Sequence, residues 1–149
     1  RFMPTFQGSG FSIELPEATH DVSSYGFVFP DLGDFSPSLT VRFEKAKDAP
    51  NLSAYAQEKT LPLAESLENF EVVSQSEHAR GNWSYLVSTV EWGADDGRLR
   101  QKTIYIYVSG EKPAIYTITA TDLASNADNS DAELNKIIGT FRTNGEQFF

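Results

Sequence analysis

An α+β domain built on an antiparallel sheet of five to seven strands, with two helices packed on one face, is the fold class this sequence predicts. Three observations carry the prediction: short segments of alternating apolar and polar residues bounded by turn residues, a late run of three long segments in immediate succession, and two helical patterns set apart from them. At 149 residues the chain is long enough to bury a core without disulfides or a metal and too short for two comfortable domains, so residues 1–149 read as one.

Phe11, Ile13 and Leu15 share one side of an alternating segment that Pro16 ends, giving a first strand over Phe11–Leu15. Tyr25–Phe29 is aromatic-rich and stops at Pro30. Ser38–Phe43 alternates Leu39, Val41 and Phe43 against Thr40 and Arg42, and the two segments make a hairpin across the Pro30–Pro37 loop. After Pro50, Asn51 can accept from the free amides of a helix whose apolar stripe runs Leu52, Tyr55, Ala56, Leu63 and Leu67. Pro62 lacks a backbone donor, so a kink or brief break is expected near Thr60 and Leu61. Strands resume at Glu71–Ser76 and Trp83–Trp92. Asp95, Asp96 and Gly97 suit a reversal into Leu99–Val108, and SGEKP turns the chain into Ala114–Thr121, so these segments form a meander. Beyond the polar stretch Asp122–Asn129, Ser130 and Glu133 have the spacing of a reciprocal capping box for a helix burying Leu134, Ile137, Ile138 and Phe141. A loose tail ending in Phe148 and Phe149 is expected after Arg142.

Helices gathered on one side leave the other sheet face to water or a partner. Side chains alternate along a strand, which separates Lys102, Ile104, Ile106 and Val108, a core set, from Gln101, Thr103, Tyr105 and Tyr107. In the last strand Tyr116, Ile118 and Ala120 oppose Ile115, Thr117, Thr119 and Thr121, and the threonine set is the one a sheet shows to solvent. Hydroxyl, amide and aryl groups therefore line the expected open face. Strand formers that tolerate water give the same pattern in any half-exposed sheet; a binding surface uses those groups to bury apolar matter while hydrogen-bonding.

Charge and motif content narrow the function. Twenty-one acidic against twelve basic residues leave a formal charge of −9, which repels phosphate backbones and anionic lipid, so nucleic acid is not an expected partner. Cysteine is absent, and no apolar run approaches a membrane-spanning helix. There is no nucleophile elbow, phosphate-binding glycine loop, dinucleotide fingerprint or zinc-protease helix, so the expectation is a non-enzyme with neither cofactor nor metal. His20 and His78 stand in polar, turn-like surroundings as solvated residues. The stretch around Asn126 and Asp128 lacks the glycine and closing glutamate of a calcium loop and reads as helix capping. N-x-S sequons at Asn51 and Asn82 matter only in a glycosylating pathway.

The order of FSIELPE, then Asp21 and Ser23, SLTVRFE, LAESLENFEV, VEWG, LRQKTIYI, AIYTITAT and IIGTFR resembles the DcrB-like domains of Gram-negative bacteria, which share the two-layer fold of PsbP. Within that group the chain looks most like the EagR chaperones of type VI secretion. The resemblance implies a cytoplasmic homodimer that holds apolar, transmembrane-type helices of a secreted effector in a groove on the sheet face. It sets Gln101 of LRQ against the client, and the open face given by strand alternation puts Thr103, Tyr105, Tyr107, Thr117 and Thr119 around it, with Leu39 and Val41 either joining them or facing the core. Ser24 and Gly26 stand where those chaperones tend to have aliphatic groove residues, and Lys59 where they have a helix glutamine. The alternative is a periplasmic DcrB-like or PsbP-like envelope or assembly protein whose export segment precedes Arg1.

Overall fold

The computed structural model describes residues 3–8, 10–17, 24–28, 37–143 and 146–147; within its elements the side chains at 7, 8, 129, 130, 133, 134, 137, 142, 146 and 147 are not described. The expectations for His20, Asp21 and Ser23, for the loop of residues 30–36, for the Ser130 and Glu133 cap, for burial of Leu134 and Ile137, and for Phe148 and Phe149 lie outside the described residues.

Alternation of side chains produces the strands. β1 (Thr5–Gly8) and β2 (Phe11–Glu14) form a separate two-stranded hairpin in which Phe6 pairs with Ile13. β3 (Ser24–Val28), β4 (Ser38–Lys45), β5 (Glu71–Arg80), β6 (Trp83–Trp92), β7 (Leu99–Val108) and β8 (Ala114–Leu123) make a six-stranded sheet in the order β3-β4-β8-β7-β6-β5, each neighbouring pair antiparallel. β9 (Arg142–Thr143) and β10 (Glu146–Gln147) pair with each other. α1 (Leu52–Ser66) joins β4 to β5, and α2 (Ala127–Gly139) follows β8.

Three details differ from expectation. The strand at Phe11 pairs with β1 and not with the main sheet, because Thr5–Gly8 offers a partner directly across a tight reversal at Gly10, whose φ of 78° favours glycine. α1 runs unbroken through Pro62. Asn51 Oδ1 accepts from the Ala54 amide at 3.0 Å, and the hydroxyls of Thr60 and Ser66 donate to the carbonyls of Ala56 and Pro62. Burying Leu52, at 1% exposure, contributes about 1.5–3 kcal/mol and helps hold the helix despite its missing donor. The last helix begins at Ala127, ahead of Ser130, after a 3₁₀ turn over Ala124–Asn126. The buried Asp122 carboxylate organises that turn, accepting from the Leu123 amide at 2.7 Å and the Asn126 side-chain amide at 2.9 Å.

The larger correction concerns layers. Residues paired across antiparallel strands share a face, so Val41, Ile118, Ile104 and Val87 form a row on one side and Arg42, Thr117, Tyr105 and Leu86 a row on the other. Ile138 of α2 packs with Leu39, Trp83, Ile104, Ile106, Ile118 and Ala120 on the first side. Leu52 and Ala56 of α1 pack with Leu86, Tyr105, Tyr107 and Ile115 on the second. The helices thus occupy opposite faces instead of one. Both side-chain sets of β7 are apolar enough to be covered, since Tyr105 and Tyr107 are buried, as are Ile104 and Ile106.

An ion-pair cluster closes one end of the sheet. Arg98 bonds Glu91 at 3.1 Å and donates to the carbonyls of Asn69 and Gly93 at 3.0 Å, tying the α1–β5 connection to the β6–β7 hairpin. Arg100 holds the other Glu91 oxygen at 2.6 Å. Partial burial pushes the Glu91 carboxyl upward, but the hydrogen bonds and charges of Arg100 and Arg98 outweigh it and hold the group below the ordinary carboxylate range.

Candidate functional site

Because α1 packs chiefly over β6, it buries Leu86 and Tyr107 while leaving a cleft on the side toward β8 and β4. This cleft measures about 280 Å³. Its floor is Gln101, Thr103 and Tyr105 of β7 with Thr117 and Thr119 of β8; Arg42 and Glu44 of β4 form one wall, and Tyr55, Lys59 and Leu63 of α1 the other. Register dictates the grouping. Thr103 pairs with Thr119, Tyr105 with Thr117, and Arg42 with Thr117, so the polar side chains stand in adjacent rows.

The wall at α1 is tied to its neighbours by the contacts of Tyr55. The Tyr55 hydroxyl donates to Glu44 Oε2 at 2.8 Å, and its ring meets that of Tyr105 edge-on at 5.6 Å. Lys59 Nζ lies 5.2 Å from the centre of the Tyr55 ring, within cation–π range. Burial, then the hydrogen bond to Glu44 and its charge, raise the Tyr55 phenol far above its usual value against an opposing hydrogen bond from Thr117. Burial likewise raises Tyr105, opposed by a hydrogen bond with the Thr60 side chain. Both phenols therefore stay neutral donors at physiological pH. On the floor, Gln101 Nε2 donates to Thr121 Oγ1 at 3.2 Å, which orients the amide.

Of the residues singled out in the sequence, Gln101, Thr103, Tyr105, Thr117 and Thr119 come together here. Tyr107 does not; it is buried beneath α1, because the helix expected on the far face lies on this one. Leu39 and Val41 belong to the α2 side, where Leu39 is in the core and Val41 packs against it, since their partners Ala120 and Ile118 point that way. Ser24 and Gly26 share the cleft's face, pairing with Arg42 and Thr40, but sit on the exposed edge strand outside it. Arg42, Glu44, Tyr55 and Leu63 were not anticipated as lining. Arg42 could have been found from the parity of Ser38–Phe43, which puts it opposite Leu39 and Val41.

The cleft combines hydroxyls, one amide, three aromatic residues (Phe43, Tyr55 and Tyr105) and charges of both signs, with no histidine or cysteine in its lining. Among the described residues no group of three or more histidine, cysteine or acidic side chains is placed to hold a metal ion. No helix among them is long and apolar enough to cross a membrane.

Residues 11–140 match the DcrB family. The chain belongs to that family. Solved structures share the fold of this DcrB-family chain at low identity. A Pseudomonas aeruginosa protein of unknown function, described as a putative regulator, superposes with a TM-score of 0.68 at 14% identity over 95% of this chain and 96% of its own. The cyanobacterial PsbP of Synechocystis gives 0.55 at 10% identity, covering 95% of this chain and 92% of that one. LpqN of Mycobacterium tuberculosis, described as involved in cell envelope biogenesis, gives 0.53 at 12% identity over 78% and 77%. No curated protein matches the DcrB-family chain significantly.

Proposed function

We propose that this DcrB-family chain is a non-catalytic binding domain for another protein in assembly at the cell envelope, and that it grips a partner segment in the cleft beside α1. One observation carries the reading: Gln101, Thr103, Tyr105, Thr117 and Thr119 converge with α1 on an open cleft whose floor is hydrogen-bonding and aryl surface, edged by Arg42, Glu44 and Lys59. Such a site lowers the free energy of a bound chain by burying its apolar groups while meeting its polar ones. Family membership and the envelope role given for LpqN support placing that partner in the envelope.

The EagR-type reading, a cytoplasmic homodimer holding apolar helices of a type VI effector, is favoured by the position of Gln101 on the cleft floor. Size and polarity weigh against a single chain doing this. A cleft of about 280 Å³ edged by Arg42, Glu44 and Lys59 accepts a few side chains and not a whole apolar helix, so that role needs a second copy to widen the surface.

Photo-crosslinking from Thr119 in the native cell, combined with fractionation, tests both. An adduct with an envelope or exported protein in the periplasmic fraction is the expected result. A cytosolic adduct with a membrane-segment toxin, lost from the cell when this gene is deleted, selects the EagR reading instead. Adducts identical to those from Glu111, in the exposed β7–β8 turn, would remove the cleft from either account.

A further inference from the structure

We propose that the free edge of β5, together with the apolar groove between it and α1, is a strand-addition site for an extended, apolar and basic segment of a partner protein. β5 ends the sheet order, with β6 on one side and no strand on the other among the described residues. All ten of its residues are exposed. A long bare edge is a template for another chain, and proteins usually blunt such edges with proline, lysine, shortness or a bulge. β5 has neither proline nor lysine, and its charged residues are Glu71, Glu77 and Arg80, which leaves Val72–Ser76 uncharged. Its one irregularity, between Val72 and Ser74, sits at the start and leaves Ser74–Arg80 in regular register with β6.

Beside that edge, on the flank of α1 away from the first cleft, lies a second groove of about 320 Å³. Leu61, Ala64, Phe70 and Val72 supply its apolar surface, with Leu61 56% and Val72 49% exposed, beside hydroxyl and amide side chains of α1, β5 and β6. A strand added to β5 would gain backbone hydrogen bonds along the edge and set an apolar side chain into this groove, which is how strand-addition sites obtain affinity and selectivity respectively.

Charge identifies the occupant. Glu58 and Glu65 flank Leu61 at the spacings that make helix neighbours, and Glu77 stands on the groove side of β5, paired with Leu86. The first cleft instead mixes Arg42 and Lys59 with Glu44. No charged residue lines the groove itself, so the acidic side chains around it, Glu58, Glu65 and Glu77, match lysine or arginine flanking the apolar residue that the groove seats. The groove is separate in place and chemistry from the cleft proposed above.

The test is hydrogen exchange on the full chain with a synthetic peptide of alternating valine and threonine ending in lysine at both ends, against the same peptide ending in glutamate. The lysine peptide should slow exchange in β5 by about tenfold or more while leaving β3 unchanged. Leu61→Ala and Val72→Thr, both at exposed positions, should each weaken that binding by about threefold to tenfold with β7 exchange unaltered. Equal protection by the glutamate peptide, protection confined to β3 or the first cleft, or no protection overturns the proposal. So does β5 protection that rises with protein concentration alone, which would assign the edge to a second copy.

Discussion

Beneath α2 the sheet presents Leu39, Ile104, Ile106, Ile118 and Ala120 as a continuous apolar surface. Beneath α1 the same strands present Leu86, Tyr105, Tyr107 and Ile115 only where the helix lies, and turn beside it to Thr103, Thr117, Thr119 and Gln101. One face is core across its central strands, although Tyr25 and Phe27 at its β3 edge stay exposed. The other is core along a strip and lined by polar side chains along its margins. The difference follows from the width of the cover: a single helix is about 10–12 Å across, less than a six-stranded sheet, so uncovered rows stay open unless apolar residues draw something over them. On the α2 side Phe141 and Tyr116 extend the packing, their rings 5.4 Å apart. On the α1 side polar rows occupy the corresponding ground.

Truncating the fully buried residue of each face tests whether both strips are core. Ile106→Ala and Leu86→Ala should each cost about 2–5 kcal/mol in urea unfolding. A cost under about 1 kcal/mol for Leu86→Ala alone would mean that α1 is loosely held and its cleft has no rigid wall.

Glu91→Gln addresses the clamp between Arg98 and Arg100, and should lose about 1–2 kcal/mol near neutral pH by removing the carboxylate they share, with Glu71 and Asp131 remaining as weaker partners. Because the folded carboxyl sits below its unfolded value, its contribution is present above the ordinary carboxylate range and disappears as pH falls through that range to the folded value. The Gln variant should therefore show a shallower acid-side loss of stability than the parent, read from unfolding midpoints against pH.

Tyr55→Phe removes the bond to Glu44 but keeps the ring against Tyr105, for an expected loss of about 0.5–1 kcal/mol. The raised phenol has a second signature. As pH climbs past the ordinary phenol value, the unfolded chain releases its proton first, so stability falls; Tyr55→Phe should flatten that alkaline slope. Smallest of all, Thr119→Val should change stability by no more than about 0.5 kcal/mol, since the residue is half-buried on the cleft floor. Its effect should be confined to partner crosslinking, which would separate the recognition margin from the core strip.

Strand positions were legible in the residues because alternation and turn chemistry act locally: Trp83–Trp92 and Leu99–Val108 lie where their patterns put them, and Asn51 caps α1 as its side chain allows. The separation of Gln101, Thr103 and Tyr105 from Ile104 and Ile106 was legible for the same reason, the pleat. Only the tertiary structure decided which helix covers which set. Placing α1 and α2 on opposite faces depends on how β4 leads across the sheet to β5 and how β8 turns back at Asp122, and no single segment encodes that. It moved Tyr107 into the core, placed Leu39 and Val41 behind the sheet, and made Tyr55 and Leu63 into a wall, because burial is settled by what packs against a face, while alternation settles only which residues share one.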